Sequence, residues 1–382
     1  MIMKEVLYLA HYLDLPSRND RNIVGSPAAM NKIEYIFKTL GELNVKTTVI
    51  SAYNTKSSQS KPALLKEIYP NVKLRLLPAF KRKKLISRII SKLSFEARLL
   101  ICLLQELKRV NTLIVYHSLP LMRLITILKL FRRFNLILEV EEIYGDVNNS
   151  SKTVKKELRF FKLADGYIFP TKLLDEKVNL KKKPTTIIHG TYEKTNTYSK
   201  QFKDNKIHIV YAGTLDVRKG GAMAAVAAAE FLNDRYHLHI LGFGSKEEKN
   251  VLLSAIKNVA GKSDCTISYD GCLAGEEYLK FLQSCDIGLS TQNPEATFND
   301  SSFPSKVLSY MSNGLRVVSI RIPVVESSAV NSVIWYYDIQ SPEEIAKAIQ
   351  LVDMLDDYNG REVIGNLDIK FQSQILELLE KF

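Results

Sequence analysis

The chain has 382 residues, of which 46% are hydrophobic and 25% are charged, and its formal net charge is +12. These values exclude a fibrous or unfolded chain, and the length predicts two domains of about 150 to 200 residues each. The four cysteines show no C-x-x-C spacing, which predicts neither a zinc site nor a disulfide framework. No apolar stretch reaches the ~18 residues of a spanning helix, so we expect a cytoplasmic protein whose membrane contact is peripheral.

The positive charge is concentrated in the first half of the chain. Residues 1–190 hold 34 Lys and Arg against 16 Asp and Glu, a net charge of +18, whereas the remainder holds 19 against 25, a net charge of −6. One interpretation is a solvated basic face, and the other is attraction of the first domain to an anionic surface or acceptor. Binding to nucleic acid is the least favoured function, because no aromatic or zinc motif accompanies the basic residues.

The first half alternates apolar runs with amphipathic stretches, which predicts β-α units and a parallel sheet. The predicted strands are 5–10, 46–51, 72–77, 112–116, 136–140, 166–169 and 185–188. The predicted helices are 28–40, 83–109, 121–133 and 152–162. A long loop, 14–27, is expected between the first strand and the first helix.

The second half repeats this alternation after a polar segment, 192–205, that we interpret as a linker. Its predicted strands are 207–212, 237–241, 266–269, 287–290, 316–320 and 333–337. The fold class is therefore α/β, with two Rossmann-like, doubly wound domains facing each other across a cleft. The domain bounds are 1–195 for the first domain and 206–360 for the second, and a helical segment, 361–382, returns to the first domain. Ligands of such sheets bind at the carboxyl ends of the strands.

The strongest local motif is Y-A-G-T-L-D-V-R-K-G-G at 211–221, between a predicted strand and an Ala-rich helix. Glycines let the backbone approach a phosphate closely, and a helix N-terminus offers free N–H groups. Arg218 and Lys219 add positive charge for a departing diphosphate. The alternative is an ordinary turn with a solvated basic pair.

A second motif, S-S-F-P-S-K-V-L-S-Y-M-S-N-G, spans 301–314. Pro304 suits the first turn of a helix, and Gly314 suits its C-terminal cap. The first turn of that helix would present N–H groups, Ser305 and Lys306 to an anion. A purely architectural helix–strand unit is the alternative.

Together these motifs resemble the donor half of GT-B glycosyltransferases, in particular the retaining, family-4-like group of bacterial surface-polysaccharide glycosyltransferases. Segments 165–171 and 188–190 stand where that group has further strand and turn signatures. The resemblance implies that Lys219 contacts the donor diphosphate with Arg218 as its assistant. It also implies a donor of the UDP or GDP type and an acceptor that is a saccharide or lipid-linked saccharide.

The sequence departs from the family pattern at three positions. Thr214 replaces an arginine of the glycine loop, and Ser301 and Ser309 replace two glutamates, the second of which binds the nucleotide ribose in the family. A serine hydroxyl can still hydrogen-bond a ribose hydroxyl, at about half the strength of a charged partner. The full set of expected nucleotide-binding residues is Gly213, Thr214, Gly242, Gly244, Ser301, Ser302, Pro304, Ser305, Lys306 and Ser309.

The acceptor side is expected in the first domain. The resemblance implies a histidine near the position of His117, whose ordinary pKa suits proton transfer. Gly25 lies in the loop that reaches toward the donor in the resembled fold, and Arg21 is a further residue of that loop. Glu141 is an acceptor ligand or a base, whereas for Glu142 a solvated carboxylate is the favoured interpretation.

A basic, aliphatic stretch at 81–93 predicts either contact with anionic lipid at the inner face of the plasma membrane or a core-facing helix with exposed lysines. No D-x-D triad occurs in the sequence, so we expect sugar transfer without a metal ion or other cofactor. The alternatives to a hexosyltransferase are a GT-B-fold sugar-nucleotide epimerase and a non-catalytic sugar-nucleotide-binding subunit of a polysaccharide assembly complex.

Overall fold

A computed structural model describes residues 4–57, 59–80, 85–148, 150–296, 299 and 301–382, without the side chains of residues 27, 28, 85–89 and 218. The chain forms two compact units. The first comprises the residues up to Ile188 together with Lys370–Phe382, and the second comprises His189–Ile369. The first unit is therefore discontinuous in sequence.

The first unit is built on an eight-stranded sheet in which all neighbours are parallel except one antiparallel pair at the edge. Its strands are β1 (Glu5–Ala10), β2 (Lys46–Ser51), β3 (Leu64–Tyr69), β4 (Val72–Leu76), β5 (Thr112–Tyr116), β6 (Asn135–Glu139), β7 (Gly166–Phe169) and β8 (Thr185–Ile187). Their order is β3-β4-β2-β1-β5-β6-β7-β8. The order reverses between β1 and β5, which is the pattern of a doubly wound sheet.

Helices cover this sheet and bury its apolar strands. They are α1 (Leu15–Arg21), α2 (Pro27–Glu42), α3 (Leu85–Glu106), α4 (Leu119–Phe131), α5 (Tyr144–Val147), α6 (Ser151–Phe161) and α7 (Lys172–Val178). Central strands such as β5 are buried almost throughout, as expected where both faces of a parallel sheet are covered. None of the helices that the structure describes is long and apolar enough to cross a membrane.

The second unit is a six-stranded, wholly parallel sheet of order β11-β10-β9-β12-β13-β14. Its strands are β9 (Ile207–Thr214), β10 (Tyr236–Phe243), β11 (Thr266–Gly271), β12 (Ile287–Ser290), β13 (Arg316–Ile320) and β14 (Ile334–Tyr337). Its helices are α8 (Gly221–Ala228), α9 (Lys246–Ala260), α10 (Gly275–Leu282), α11 (Ser305–Ser312), α12 (Pro323–Glu326), α13 (Pro342–Gln350) and α14 (Gly360–Glu380), with 3-10 turns at Val217–Lys219, Ala229–Phe231 and Asn331–Val333.

The long helix α14 begins in the second unit and continues into the first. Within the first unit, the Phe371 ring stacks on Tyr35 with ring centroids 5.7 Å apart. The amide of Asn135, at the start of β6, donates to the carbonyl oxygen of Phe382 at 3.1 Å. The last residues therefore complete the packing of the first unit.

Helix α1 and strand β3 are among the elements of the first unit that the sequence analysis did not predict. Helix α1 occupies much of the loop expected at 14–27, where Pro16 stands at the first turn, a position that tolerates proline. The edge strand β3 was not predicted, because it is largely exposed and does not alternate clearly between apolar and polar residues.

Candidate functional site

The glycine-rich motif lies at the point where the second sheet reverses its order. The chain leaves the carboxyl end of β9, passes through the 3-10 turn Val217–Lys219 and enters α8 at Gly221. On one side of β9 lies β10, and on the other lies β12. Such a switch point leaves a crevice at the carboxyl ends of the strands, which is where doubly wound sheets bind ligands.

The loop is held by two hydrogen bonds from the residues that follow β12. The N–H of Asn293 donates to the carbonyl of Lys219 at 3.0 Å, and the Thr291 hydroxyl donates to the carbonyl of Gly221 at 2.8 Å. Gly220 has φ +69°, a left-handed conformation that favours glycine at this helix cap. The first turn of α8 therefore starts from a fixed position.

Close packing explains the glycines on either side of this crevice. A Cβ added at Gly242 would overlap the carbonyl oxygen of Gly213, its register partner on β9. One added at Gly221 would lie 2.7 Å from the Tyr211 ring. One added at Gly244 would lie 2.8 Å from a carboxylate oxygen of Glu248, which caps α9.

These contacts give the glycines an architectural role in the sheet. They also correct one expectation, since Gly242 lies within strand β10 and not in a turn after it.

Lys306 brings the second motif to the first. Its Nζ atom lies 3.9 Å from the centroid of the Tyr211 ring, and an ideal Cβ at Gly213 would lie 3.3 Å from it. Burial and, to a smaller extent, repulsion from Lys219 lower the pKa of Lys306 to about 7. The two lysines of the two motifs are thus close enough to repel each other, and a bound anion would relieve that repulsion.

The remaining residues of the second motif differ in exposure. Ser301 is buried, Ser302 and Pro304 are half-buried, and Ser305 is exposed at the first turn of α11. Ser309 forms a side-chain hydrogen bond with Tyr278. The hydroxyl that stands in the family's ribose-binding position is therefore already engaged within the protein.

Tyr310 fixes α11 against the strands. Its hydroxyl accepts from the N–H of Ala212 at 2.8 Å and donates to the carbonyl of Leu289 at 3.4 Å. A Cβ at Gly288 on β12 would overlap the Tyr310 ring. Tyr310 therefore sets the distance between α11 and the strand that carries the glycine loop.

Two expected residues contribute less to this geometry. Thr214 ends β9 and accepts a hydrogen bond from the Tyr211 hydroxyl through its carbonyl at 3.3 Å. The backbone of Arg218 belongs to the 3-10 turn, but its side chain lies outside the described residues. Its role as an assistant to Lys219 stays a prediction.

In the first unit, His117 follows β5 and is buried. Its Nε2 atom lies 2.8 Å from Oε1 of Glu157, and the rings of Phe160 and Phe161 pack against it. Glu157 also accepts from the N–H groups of Tyr144 and Gly145. His117 thereby helps to position α5, and its catalytic role stays a prediction.

A buried carboxyl group that the sequence did not single out ends β6. Glu139 accepts a hydrogen bond from the Tyr8 hydroxyl, and burial, together with the nearby Glu141, raises the pKa of Glu139 to about 8. Glu141 itself pairs with Lys32 at 2.6 Å. The run E-V-E-E at 139–142 was the only sequence signal, since burial of its first member depends on the register of β6 in the sheet.

The other expected acceptor-side residues serve the fold of the first unit. Gly25 follows α1, and a Cβ there would overlap the Met30 side chain. Arg21 is buried and donates to the carbonyls of Leu77 at 2.8 Å and Pro62 at 3.3 Å. Arg21 is therefore packed within the first unit, and a role in acceptor binding stays a prediction.

A cavity of about 370 Å³ lies near the carboxyl ends of β1 and β2 in the first unit. Its lining is mainly apolar with a histidine and one ion of each sign: His11, Ala52, Asn54, Lys92, Phe95, Glu96, Leu99, Pro120, Leu121 and Leu124. Burial lowers the pKa of His11 to about 4, so its imidazole is neutral at physiological pH. Part of the predicted basic stretch, 81–84, lies outside the described residues.

Comparisons by sequence give no match: no family model and no curated protein matches this chain. Solved structures do match over the whole chain. Sucrose-phosphate synthase from Thermosynechococcus elongatus is similar with a TM-score of 0.67 and 14% identity, over 99% of this chain and 98% of that chain. Anabaena HepE in complex with UDP and glucose is similar with a TM-score of 0.64 and 11% identity, over 99% and 100%.

A third similar structure is the α,α-trehalose 6-phosphate synthase of Burkholderia multivorans, with a TM-score of 0.64 and 10% identity over 99% of each chain. Identities this low establish the architecture and not the activity. The chain thus has two Rossmann-like domains and the GT-B fold of these structures.

Proposed function

We propose that this protein is a glycosyltransferase that moves a sugar from a nucleoside-diphosphate donor to a saccharide or lipid-linked saccharide, without a metal ion and with retention of configuration. The observation that carries the proposal is the pair Lys219 and Lys306 at the switch point of the second sheet. Two cations that repel each other beside two helix N-termini form a site whose complement is a pyrophosphate.

The structural neighbours support the choice of donor. Structures of Anabaena HepE include complexes with UDP and with UDP-glucose. One trehalose-phosphate synthase neighbour is described as UDP-forming. A UDP-type donor is therefore the first to test here.

The chemistry follows from charge. Breaking the anomeric bond leaves negative charge on the departing diphosphate, and positioned cations and N–H groups stabilise that charge in the transition state. In the proposed mechanism Lys219 binds the diphosphate, and Lys306 becomes fully protonated when the anion arrives. The leaving phosphate then accepts the proton of the acceptor hydroxyl, which is how a retaining transfer proceeds without a separate base.

The acceptor is proposed to bind in the first unit. The apolar walls of the cavity near β1 and β2 suit a lipid part of an acceptor, and Lys92 at its edge suits a phosphate. Ile90 and Leu93 on the same helix are exposed, beside exposed Lys92. Such a surface supports peripheral binding to anionic lipid at the inner face of the plasma membrane.

The second candidate, a non-catalytic nucleotide-sugar-binding subunit, rests on one observation. Ser301 and Ser309 carry hydroxyls where the resembled family has carboxylates. Ser301 is also buried, and Ser309 is hydrogen-bonded to Tyr278. Such a subunit would bind the donor and leave it intact.

The experiment has two steps, binding and transfer. Calorimetry or saturation-transfer NMR against a panel of nucleotide sugars identifies the donor, and a radiolabel-transfer assay with membrane extract then measures activity. We expect Lys219→Ala to weaken donor binding at least 10-fold and to abolish transfer, because one charge-assisted phosphate contact contributes about 1.5 to 3 kcal/mol.

The matched control is Lys257→Ala, which removes an exposed lysine of α9. Unchanged binding and transfer in Lys219→Ala would remove that residue from the proposed mechanism. If the protein bound the donor but neither transferred its sugar to any acceptor fraction nor hydrolysed it, the non-catalytic subunit would be favoured.

A further inference from the structure

Three histidines gather on one face of the second sheet, near the amino ends of its strands. His208 is on β9, and His237 and His239 are on β10. The register pairs His208 with His237, and side chains two residues apart on a strand point to the same face. Each histidine offers one ring nitrogen, and these atoms all lie within 4.8 Å of one another.

The hydrogen bonds of two of these rings leave their inner nitrogens facing each other. Nε2 of His208 lies 2.7 Å from Asp204, and Nδ1 of His239 lies 3.1 Å from Asp270. Each carboxylate fixes the outer nitrogen as the N–H donor, so the inner nitrogen carries a lone pair. Those inner atoms, Nδ1 of His208 and Nε2 of His239, are 2.9 Å apart.

Two lone pairs at this distance need a positive centre between them. An imidazole whose outer N–H group binds a carboxylate is the usual arrangement of a metal-bound histidine, because the carboxylate orients the ring and increases its basicity. Tetrahedral Zn²⁺ with bonds of about 2.0 to 2.1 Å separates its ligands by about 3.4 Å. The distance between Nδ1 of His208 and Nε2 of His239 would have to increase by roughly half an ångström to accept the ion.

The third histidine and an aromatic cover complete the surroundings. His237 stacks on His239 with ring centroids 3.9 Å apart, and its Nε2 lies 3.1 Å from the Ser268 hydroxyl. Phe202 stacks on His208 at 4.2 Å and on His239 at 4.9 Å. His208 and His239 are both at most 3% exposed, so this cover limits access of water.

We propose that His208, His237 and His239 bind a Zn²⁺ ion whose fourth ligand is a water molecule, with Asp204 and Asp270 orienting two of the histidines. Imidazole ligands favour zinc and its neighbours in the first transition row over Mg²⁺ or Ca²⁺. The ion would join β9, β10 and the segment that leads into β9. The site lies about 20 Å along β9 from Thr214, at about 3.3 Å per residue, so it is distinct from the proposed donor site.

The test uses the full chain without an affinity tag, after removal of metal with a chelator. We expect one Zn²⁺ per chain by calorimetry, and a tetrahedral Co²⁺ absorption spectrum when Co²⁺ replaces it. Added Zn²⁺ should raise the melting temperature. His208→Ala and His239→Ala should each lower Zn²⁺ affinity at least about 100-fold, and Asp270→Asn should lower it about 10- to 100-fold.

His11→Asn is the matched control, since it changes a buried histidine of the other unit and should leave Zn²⁺ binding unchanged. Nucleotide binding, measured on the same variants, reports whether the second unit is folded. The proposal is overturned if the unaltered chain binds Zn²⁺ no more tightly than a folded His208→Ala, His239→Ala double variant. In that case the facing nitrogens share only a proton.

Discussion

Lys306 has a charge state near neutral pH that depends on what occupies the proposed site. Burial and Lys219 lower its pKa to about 7, whereas an ordinary lysine is protonated up to pH 10. An anionic ligand favours the protonated form and raises the pKa again. The proton count of the protein should therefore change when the donor binds.

We expect UDP to bind at pH 8 with uptake of up to one proton, and at pH 5.5, where Lys306 is already charged, with little uptake. The measurement is calorimetry in buffers that differ in ionisation enthalpy, since the observed heat then varies with the buffer. The exposed-lysine variant Lys257→Ala should keep the uptake, and Lys306→Met should abolish it. If the heat of UDP binding at pH 8 did not vary with the ionisation enthalpy of the buffer, this role of Lys306 would be contradicted.

Glu139 gives the first unit a pH dependence opposite in sign to that of a carboxylate whose pKa is lowered by a salt bridge in the folded state. Its pKa is raised to about 8 in the folded chain, from an ordinary value of 4.5. Between these values the folded state binds more protons than the unfolded state, so stability falls as pH rises from about 5 to 8.

Glu139→Gln keeps an acceptor for the Tyr8 hydroxyl and removes the charge. We expect equal stability of this variant and the unaltered chain at pH 5, and a variant more stable by on the order of 4 kcal/mol at pH 9. Urea unfolding at the two pH values measures the difference. Glu67→Gln, on an exposed position of β3, should show no such dependence, and a pH-independent effect of Glu139→Gln would count against the raised pKa.

At the scale of elements, the packing of α11 on β12 depends on the absence of a side chain at one residue. Gly288→Ala would place a methyl group against the Tyr310 ring, whose hydroxyl holds β9. We expect a loss of about 1 to 3 kcal/mol of unfolding free energy and weaker UDP binding, because α11 carries Lys306. Chemical denaturation and calorimetry measure both effects.

Gly261→Ala is the control for this prediction. Gly261 follows α9 with φ −79°, and the nearest atom to an added Cβ is 3.6 Å away, an ordinary contact. The free energy of unfolding of Gly261→Ala should differ from that of the unaltered chain by less than about 0.5 kcal/mol. If both variants were equally stable, Tyr310 would not be the spacer that its contacts indicate.

The elements also show what the sequence could predict. Buried strands such as β1, β2, β5 and β12 have the predicted bounds, because a strand covered on both faces is a continuous apolar run between polar turns. The edge strand β3 gives no such signal. The motif of Lys219 could be placed after a strand, and that of Lys306 at the first turn of a helix, from the sequence alone.

Other features depend on register and burial, which one sequence does not specify. Glu139 becomes buried only when β6 takes its place in the first sheet. The three histidines come together only when β9 and β10 pair in the second sheet. For the histidines the spacing H-x-H at 237–239 was a signal, since alternate residues of a strand share a face. His208 comes from a different strand, so this spacing alone does not predict the cluster.

At the scale of the whole molecule, two units with separate cores need not unfold together. The proposed donor site lies entirely in the second unit, so UDP should stabilise only the transition of that unit. At a UDP concentration 100 times Kd the expected gain is about 2.7 kcal/mol. Scanning calorimetry with and without UDP measures it.

The control for this prediction is Lys219→Ala, in which the same concentration of UDP should stabilise that unit by at most about 1.4 kcal/mol, because its affinity is expected to fall at least 10-fold. Limited proteolysis during the scan identifies which unit melts in each transition. An equal shift of both transitions would show that the nucleotide stabilises more than the second unit.

The discontinuity of the first unit has a consequence for biosynthesis. The ribosome makes most of this unit first, but Phe371 and Phe382, which pack against Tyr35 and Gly166, follow the whole second unit in the sequence and are made after it. The nascent chain must therefore keep an incomplete amino-terminal half in solution while about 180 further residues emerge and mature, at about 5 to 20 residues per second. The first unit therefore begins to form before the second but is completed after it. We expect a chaperone to bind the apolar surface that the first unit exposes in that interval.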